Sequence, residues 1–234
     1  MNSFFRNLFF LTFITLICVI SFCNSRYNNL LNKYNELKEV VSINNSSNNI
    51  TIKRDIVNPN YIFLGDSIFD FYDLKKYFPN LPVVNSGIAG NITDDILNDL
   101  EKRVYVYNPS KVILLIGIND LLYEDHDDVI VDNIEKIVSE IKSKFPHCEI
   151  YIQSIYPMNE DWRVYVPSEE IIDINTQLEK YCSDNNFSYL DFYSLLIDED
   201  SKFDRRYTND GLHPNEEGYR VITDYLNEKV FNKK

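Results

Sequence analysis

Short apolar segments alternate with amphipathic helical segments along most of this chain, and that alternation restricts the fold more than any other feature. Five mostly apolar segments are predicted to be strands: Tyr61–Leu64, Pro82–Val84, Lys111–Ile116, Glu149–Ile155 and Ser188–Phe192. Near-continuous apolar strands are typical of a parallel sheet with helices on both faces. The sequence therefore predicts an α/β domain that is built on one parallel sheet.

Between and after these strands the apolar residues recur at helical spacing. Four helices are predicted: Thr93–Val104, Asp127–Phe145, Ser168–Asn185 and about Asn215–Phe231. Thr93 is the predicted N-cap of the first helix, and Pro146 ends the second. Because the pattern contains no internal repeat and no second set of elements, residues 57–234 are predicted to form a single domain.

The N-terminus has a different character. Residues 1–23 contain an uncharged apolar run, Leu8–Phe22, which follows Arg6 and precedes small or polar residues. This order predicts a secretory signal peptide; the run is short for a membrane span of roughly 20 residues, although a retained anchor is the alternative. Residues 24–56 are predicted to be an Asn-rich stalk with a short helix at about Tyr27–Val41, or else an extra helix packed on the domain. The protein is therefore expected to be exported, and either secreted or held at the cell surface.

The charge excludes some partners. The formal net charge is −13, which argues against nucleic-acid binding and against electrostatic docking on anionic lipid. Contact with a membrane is expected only through an N-terminal anchor. Cys148 and Cys182 could pair, but two buried free thiols are the preferred interpretation.

Polar motifs follow the predicted strands, at the edge where ligands bind in open parallel sheets. Ser67 lies in Gly-Asp-Ser after the first strand, where a strand-to-helix turn can expose its hydroxyl. His213 lies in Asp-Gly-Leu-His-Pro before the last helix, three residues after Asp210. A nucleophilic serine needs a base and a carboxylate that orients the base, and these residues can supply both.

Two further motifs offer donors to an oxyanion. Asn119, in Gly-Ile-Asn-Asp, can donate through its side chain, and Gly87, in Asn-Ser-Gly-Ile-Ala-Gly, can donate through its backbone N–H. Each motif alone is a weak signal, because Gly-Asp-Ser is an ordinary turn and a histidine before proline often begins a helix. Their joint order at strand ends is specific.

With these four motifs the sequence resembles the SGNH (GDSL-type) esterase and acylhydrolase family, from about Tyr61 to the C-terminus. Ile68 replaces the leucine that is commoner after Gly-Asp-Ser. The resemblance implies a three-layer α/β/α flavodoxin-like fold with about five parallel strands. It also implies that residues 57–234 are an SGNH hydrolase catalytic domain.

The resemblance implies a role for each matched residue. Ser67 is the nucleophile, His213 the general base and acid, and Asp210 the carboxylate that orients His213. The implied oxyanion hole consists of the Ser67 N–H, the Gly87 N–H and the Asn119 side chain. No metal or organic cofactor is implied, and the acidic segment Glu124–Asp128 is predicted to be a solvated helix N-terminus rather than a metal site.

The resemblance implies that the substrate is an ester of a small molecule or of a glycan. Asp66, Trp162 and Tyr165 are predicted to line its pocket, because the segment Tyr156–Val166 can overhang the site and aromatic faces suit sugar rings. The hypothesis is hydrolysis of short acyl esters, most simply acetyl groups on carbohydrate. The alternatives are a lysophospholipase or thioesterase-type acylhydrolase, an acyltransferase that uses the same residues, and a non-catalytic binding module, against which the intact set of motifs argues.

Overall fold

A computed structural model describes residues 60–123 and 127–232. The predicted signal or anchor, the stalk and most of the acidic segment after Tyr123 lie outside the described residues. Five strands form one sheet: β1 (Asn60–Gly65), β2 (Val83–Gly87), β3 (Pro109–Leu115), β4 (Glu149–Gln153) and β5 (Ser188–Leu190). Their spatial order is β2-β1-β3-β4-β5, and every neighbouring pair is parallel.

Helices follow the strands. Those in the described residues are α1 (Ser67–Asp70), α2 (Leu74–Tyr77), α3 (Thr93–Asn98), α4 (Leu100–Arg103), α5 (Ile118–Leu122), α6 (Asp127–Lys144), α7 (Ser168–Asn185), α8 (Tyr193–Leu196) and α9 (Glu216–Leu226). A 3₁₀ turn, Tyr105–Tyr107, precedes β3, and a π-helical turn, Asn227–Phe231, continues α9. None of the helices in the described part of the chain has both the length and the apolar character that a membrane crossing requires.

Two apolar cores lie on the two faces of the sheet, because successive strand residues point to opposite sides. Ile62 and Val112 pack in the core formed with α3, α6 and α7, whereas their neighbours Phe63 and Ile113 pack in the core formed with α1, α2 and α9. All four side chains are buried. The predicted α/β/α architecture with a parallel sheet is therefore confirmed.

One predicted helix is divided in two. The segment Thr93–Val104 bends at Asp99, whose φ of −129° and ψ of 24° end α3 and begin α4. The prediction that Thr93 is the N-cap was also wrong. Ile92 occupies the N-cap position of α3, and Thr93 is the first residue of the helix. The Thr93 backbone N–H and hydroxyl donate instead to the buried carboxylate of Asp120, a long-range contact that local sequence does not encode.

Both cysteines of the domain are buried and free, as the sequence predicted. Burial raises the pKa of the Cys148 and Cys182 thiols to about 12. The thiolate form that reacts with oxidants and electrophiles is therefore scarce at neutral pH.

Candidate active site

Three predicted catalytic side chains meet at the carboxyl edge of the sheet. The Ser67 Oγ lies 2.9 Å from the His213 Nε2, and the His213 Nδ1 lies 2.8 Å from the Asp210 Oδ2. The two ring nitrogens of one imidazole thus join a hydroxyl on one side to a carboxylate on the other. This geometry lets the imidazole accept a proton from the hydroxyl while the carboxylate stabilises the charged ring.

The loop before α9 holds the Asp210 carboxylate in place. Its Oδ1 accepts the backbone N–H of His213 at 2.8 Å and that of Leu212 at 2.9 Å, and Leu212 is buried in the core. Partial burial raises the pKa of the Asp210 carboxyl, but the backbone and side-chain hydrogen bonds from His213 and the backbone bond from Leu212 outweigh it. The pKa therefore lies below its ordinary value, and Asp210 is ionised when it faces His213.

Ser67 stands at the first position of α1, directly after β1. The preceding residue, Asp66, caps this short helix through its Oδ1, which accepts the Ile68 N–H at 2.9 Å. No acceptor for the Ser67 N–H exists among the described residues, as is usual at the start of a helix. That N–H is free to bind an oxyanion.

Asp66 was predicted to line the substrate pocket, and that prediction was wrong. Only 1% of its surface is exposed, and its Oδ2 has no hydrogen-bond partner within the described residues. Burial raises the pKa of the Asp66 carboxyl to about 7, with Asp120 adding to the rise while the Ile68 N–H and Arg103 oppose it. Asp66 lies beneath the serine and supports the turn, so substrate does not touch it.

Of the other two predicted oxyanion donors, Asn119 has a hydrogen available for a ligand and Gly87 does not. The Asn119 Nδ2 donates to the Asn91 carbonyl oxygen at 2.9 Å, which leaves its second hydrogen for a ligand. The Gly87 N–H, in contrast, donates to the Asn85 Oδ1 at 2.9 Å. A Cβ at Gly87 would also lie 2.3 Å from the Asp70 backbone nitrogen, so the glycine is required for close packing, and the prediction that its N–H is a free donor was wrong.

Within the described residues, Gly90 offers a free backbone N–H that the sequence-based reasoning did not single out. It has a φ of +81° in a turn closed by the Asn91 N–H and the Ile88 carbonyl oxygen, at 3.2 Å. The Gly90 N–H has no acceptor in the described part of the chain, and the next residue holds the Asn119 amide. Both glycines belong to one motif, and only the folded turn distinguishes them.

Aromatic rings flank the imidazole of His213. The ring centroid of Trp162 lies 5.3 Å from that of His213, and the ring of Phe71 lies 5.1 Å away. Phe71 is 56% exposed although it is large and apolar, and it was not among the predicted site residues. Tyr165 was among the predicted pocket residues, but it packs with Trp162 against the core. In the described residues, no hydrogen bond or ring contact joins Tyr165 to Ser67 or His213.

No group of three or more side chains suited to a metal ion occurs in the described residues. The site instead combines a hydroxyl, an imidazole, a carboxylate and several N–H donors. Together with the five-stranded parallel sheet, it defines an α/β/α hydrolase of the SGNH type.

Residues 63–221 match the GDSL-like lipase/acylhydrolase family. The chain belongs to this family, and it is a hydrolase that acts on esters. A solved structure from Streptococcus pneumoniae, described as that of a platelet activating factor, is 30% identical with a TM-score of 0.70 and covers 76% of this chain and 86% of its own. The lipase/acylhydrolase from Enterococcus faecalis is 21% identical with a TM-score of 0.62, and covers 76% of this chain and 100% of its own; this likeness shows the fold.

One curated relative is named for a different reaction. The N-acylneuraminate cytidylyltransferase of Escherichia coli O18:K1:H7 is 31% identical over 170 residues, which are 71% of this chain. This chain spans only 39% of that relative. The cytidylyl transfer in its name is therefore not ascribed to this chain.

Proposed function

We propose that this protein is a serine esterase that removes short acyl groups, most simply acetyl, from carbohydrate through an acyl-enzyme at Ser67. The observation that carries the proposal is the chain of hydrogen bonds from Ser67 through His213 to Asp210, at 2.9 and 2.8 Å. We further propose, from the sequence pattern of residues 1–23, that the enzyme is exported.

The reaction proceeds in two steps. The Ser67 Oγ attacks the ester carbonyl carbon while His213 Nε2 takes its proton, and the imidazolium then donates that proton to the leaving alcohol. Water attacks the acyl-enzyme in the second step and gives a proton to His213, which returns it to the Ser67 Oγ as the bond to the acyl group breaks. The carboxylic acid leaves and ionises in solution. Asp210 stays ionised and stabilises the imidazolium in both steps.

The carbonyl oxygen becomes an anion in each tetrahedral intermediate. Three donors can bind it: the Ser67 N–H, the Gly90 N–H and the second hydrogen of the Asn119 amide. Removing one such donor typically lowers kcat by about 10²–10³-fold. These donors lie on three segments that follow β1, β2 and β3.

The position of the aromatic rings supports a carbohydrate alcohol. Because His213 protonates the leaving oxygen, the alcohol lies beside the imidazole, where Phe71 and Trp162 are. Aromatic rings bind the apolar faces of sugars, and Phe71 is exposed to receive one. Short connections favour a small acyl group: residues 88–92 join β2 to α3 and residues 116–117 join β3 to α5, so neither segment forms a lid.

A lipid ester is the second candidate. The exposed apolar side chains of Phe71 and Ile88, the latter in the turn that contains Gly90, can equally contact an alkyl chain. The Streptococcus pneumoniae structure is described by the name of a platelet activating factor, an acetylated ether lipid. In this case the alcohol part of the substrate is a lipid rather than a sugar.

The turnover of different substrates distinguishes the carbohydrate candidate from the lipid candidate. The account predicts turnover of p-nitrophenyl acetate far above that of the octanoate, and release of acetate from a peracetylated sugar. Phe71→Ala is expected to raise the KM for the acetylated sugar by about fivefold, because a lost aromatic contact is worth about 1 kcal/mol. The exposed Val106→Ala variant is the matched control. Faster cleavage of the octanoate, or of an acetylated lysolipid over the sugar, would support the lipid candidate.

A further inference from the structure

Arg103 is a buried arginine whose guanidinium lies beneath the site. It is the last residue of α4, and only 4% of its surface is exposed. Its Nη2 donates to the Gly65 carbonyl oxygen at 2.7 Å and also to the Ser86 carbonyl oxygen, and its Nη1 donates to the Asn91 Oδ1 at 2.7 Å. One side chain thus joins the end of β1 to β2 and to the turn that follows β2.

Each of these segments leads to a donor of the oxyanion hole. Gly65 ends β1, two residues before Ser67. Ser86 lies at the end of β2, and its hydroxyl returns the contact by donating to the Arg103 carbonyl oxygen at 2.9 Å. Asn91 closes the turn that contains Gly90.

Asn91 continues the connection to the third donor. Its side-chain oxygen accepts from Arg103, and its backbone oxygen accepts from the Asn119 amide at 2.9 Å. The amide of Asn119 is therefore oriented by a residue that Arg103 holds. Movement of the Asn91 turn would shift both the Gly90 N–H and the Asn119 amide.

The chemistry of arginine suits this role. The guanidinium is a planar fork with fixed donor directions, so it can hold several oxygens in one arrangement, whereas a lysine ammonium is a point charge on a flexible stem. Burial of a cation is costly, and the nearby carboxylates of Asp66, Asp95 and Asp99 favour its charged form. If Arg103 only held β2 at the edge of the sheet, a neutral hydrogen-bond donor would suffice and no buried charge would be needed.

We propose that Arg103 is a positioning residue for the oxyanion hole, which it acts on through Asn91. This inference rests on the proposed function, since an oxyanion forms only if Ser67 attacks an ester. Arg103 does not touch the substrate. It fixes the distances among the three donors before the reaction begins, so the donors need not rearrange when the oxyanion forms in the transition state.

The test compares Arg103→Lys and Arg103→Met with Arg220→Met, an arginine on α9 that is exposed and pairs with Glu217. Each variant is assayed with p-nitrophenyl acetate for kcat and KM, and its fold is checked by circular dichroism and urea unfolding. Arg103→Lys is expected to lower kcat at least about 10-fold while KM changes less than about threefold, because the lost interaction acts in the transition state. Arg220→Met is expected to change neither. A folded Arg103→Lys variant with the kcat of the wild type would overturn the proposal.

Coupling to Asn119 distinguishes positioning from a general structural role. If Arg103 acts through the oxyanion hole, Arg103→Lys combined with Asn119→Ala lowers kcat by less than the product of the two single losses. Losses that multiply fully would show that the two residues act independently, and would contradict the proposal.

A further variant covers the case in which loss of the buried charge prevents folding. Asn91→Ala keeps the Arg103 contacts to Gly65 and Ser86 and removes only the link to the turn. It is expected to lower kcat with the same coupling to Asn119→Ala, and an unchanged kcat would overturn the inference. Ser67→Ala distinguishes failure of the Arg103 proposal from failure of the proposed function, because activity that persists without Ser67 refutes the proposed function itself.

Discussion

Replacing Asp66 by asparagine is expected to remove a loss of stability that this protein undergoes as the pH rises. The Asp66 carboxyl is buried beneath Ser67, and its Oδ2 has no hydrogen-bond partner among the described residues. Burial raises its pKa from 3.8 to about 7. Asparagine has nearly the same shape, and its side-chain oxygen can still accept the Ile68 N–H.

The direction follows from proton binding in the two states. Below pH 3.8 both the folded and the unfolded chains hold the proton, so the group has no effect on stability there. Between pH 3.8 and about 7 the folded state keeps a proton that the unfolded state has lost, and the free energy of unfolding falls as the pH rises. Each pH unit is worth about 1.4 kcal/mol, so the two units from pH 5 to 7 lower the stability by about 3 kcal/mol. Above pH 7 the folded state also loses its proton, and the loss of stability levels off.

Urea unfolding of the wild type and of Asp66→Asn at pH 5 and pH 8 measures this effect. The difference in free energy of unfolding between the two proteins is expected to move in favour of the variant by about 3 kcal/mol from pH 5 to pH 8. Asp132→Asn, which removes an exposed carboxylate on α6, is the matched control. A difference between wild type and Asp66→Asn that is the same at both pH values would refute the reasoning.

Three further predictions concern the thiols, the core and the oxyanion hole. Iodoacetamide should leave Cys148 and Cys182 unmodified in the native protein and label both in urea, as read by mass spectrometry of their peptides; labelling of the native protein would contradict their burial. Ile137→Ala, at a fully buried position of α6, should lower the free energy of unfolding by about 2–5 kcal/mol in urea titrations, and a loss below about 1 kcal/mol would contradict the packing. Gly90→Ala should keep the fold, since apart from its two chain neighbours no described residue has an atom within 4 Å of the added carbon. The strained positive φ should nevertheless shift the turn and lower kcat by about 10-fold or more; an unchanged kcat would remove Gly90 from the oxyanion hole.

The sheet could be predicted because each strand is encoded locally. A parallel strand that is buried on both faces needs an almost continuous apolar segment, and Lys111–Ile116 has one. The placement of Ser67 and Asn119 at one edge could also be predicted, because both follow strands whose ends converge there. The placement of Asp210 and His213, which lie beyond α8, was implied by the family resemblance. The break between α3 and α4 could not be predicted, since the apolar spacing continues across it.

The remaining errors concern features that only the folded chain reveals. The local pattern did not show that the Gly87 N–H bonds to Asn85, that Gly90 has a positive φ, or that Asp66 is covered by the rest of the fold. Arg103 was not singled out for the same reason. Its acceptors lie in β1, β2 and the turn before α3, and they meet only in the folded protein.

Hydrolysis of p-nitrophenyl acetate by the full-length protein, beside Ser67→Ala, tests the central claim most directly. Ser194→Ala, at an exposed serine on α8, is the matched control, and circular dichroism verifies the fold of each protein. The account predicts that Ser67→Ala loses nearly all turnover above background, by several orders of magnitude, and that Ser194→Ala retains it. Equal activity in the wild type and in folded Ser67→Ala would contradict the account, because the acyl-enzyme would then have to form elsewhere.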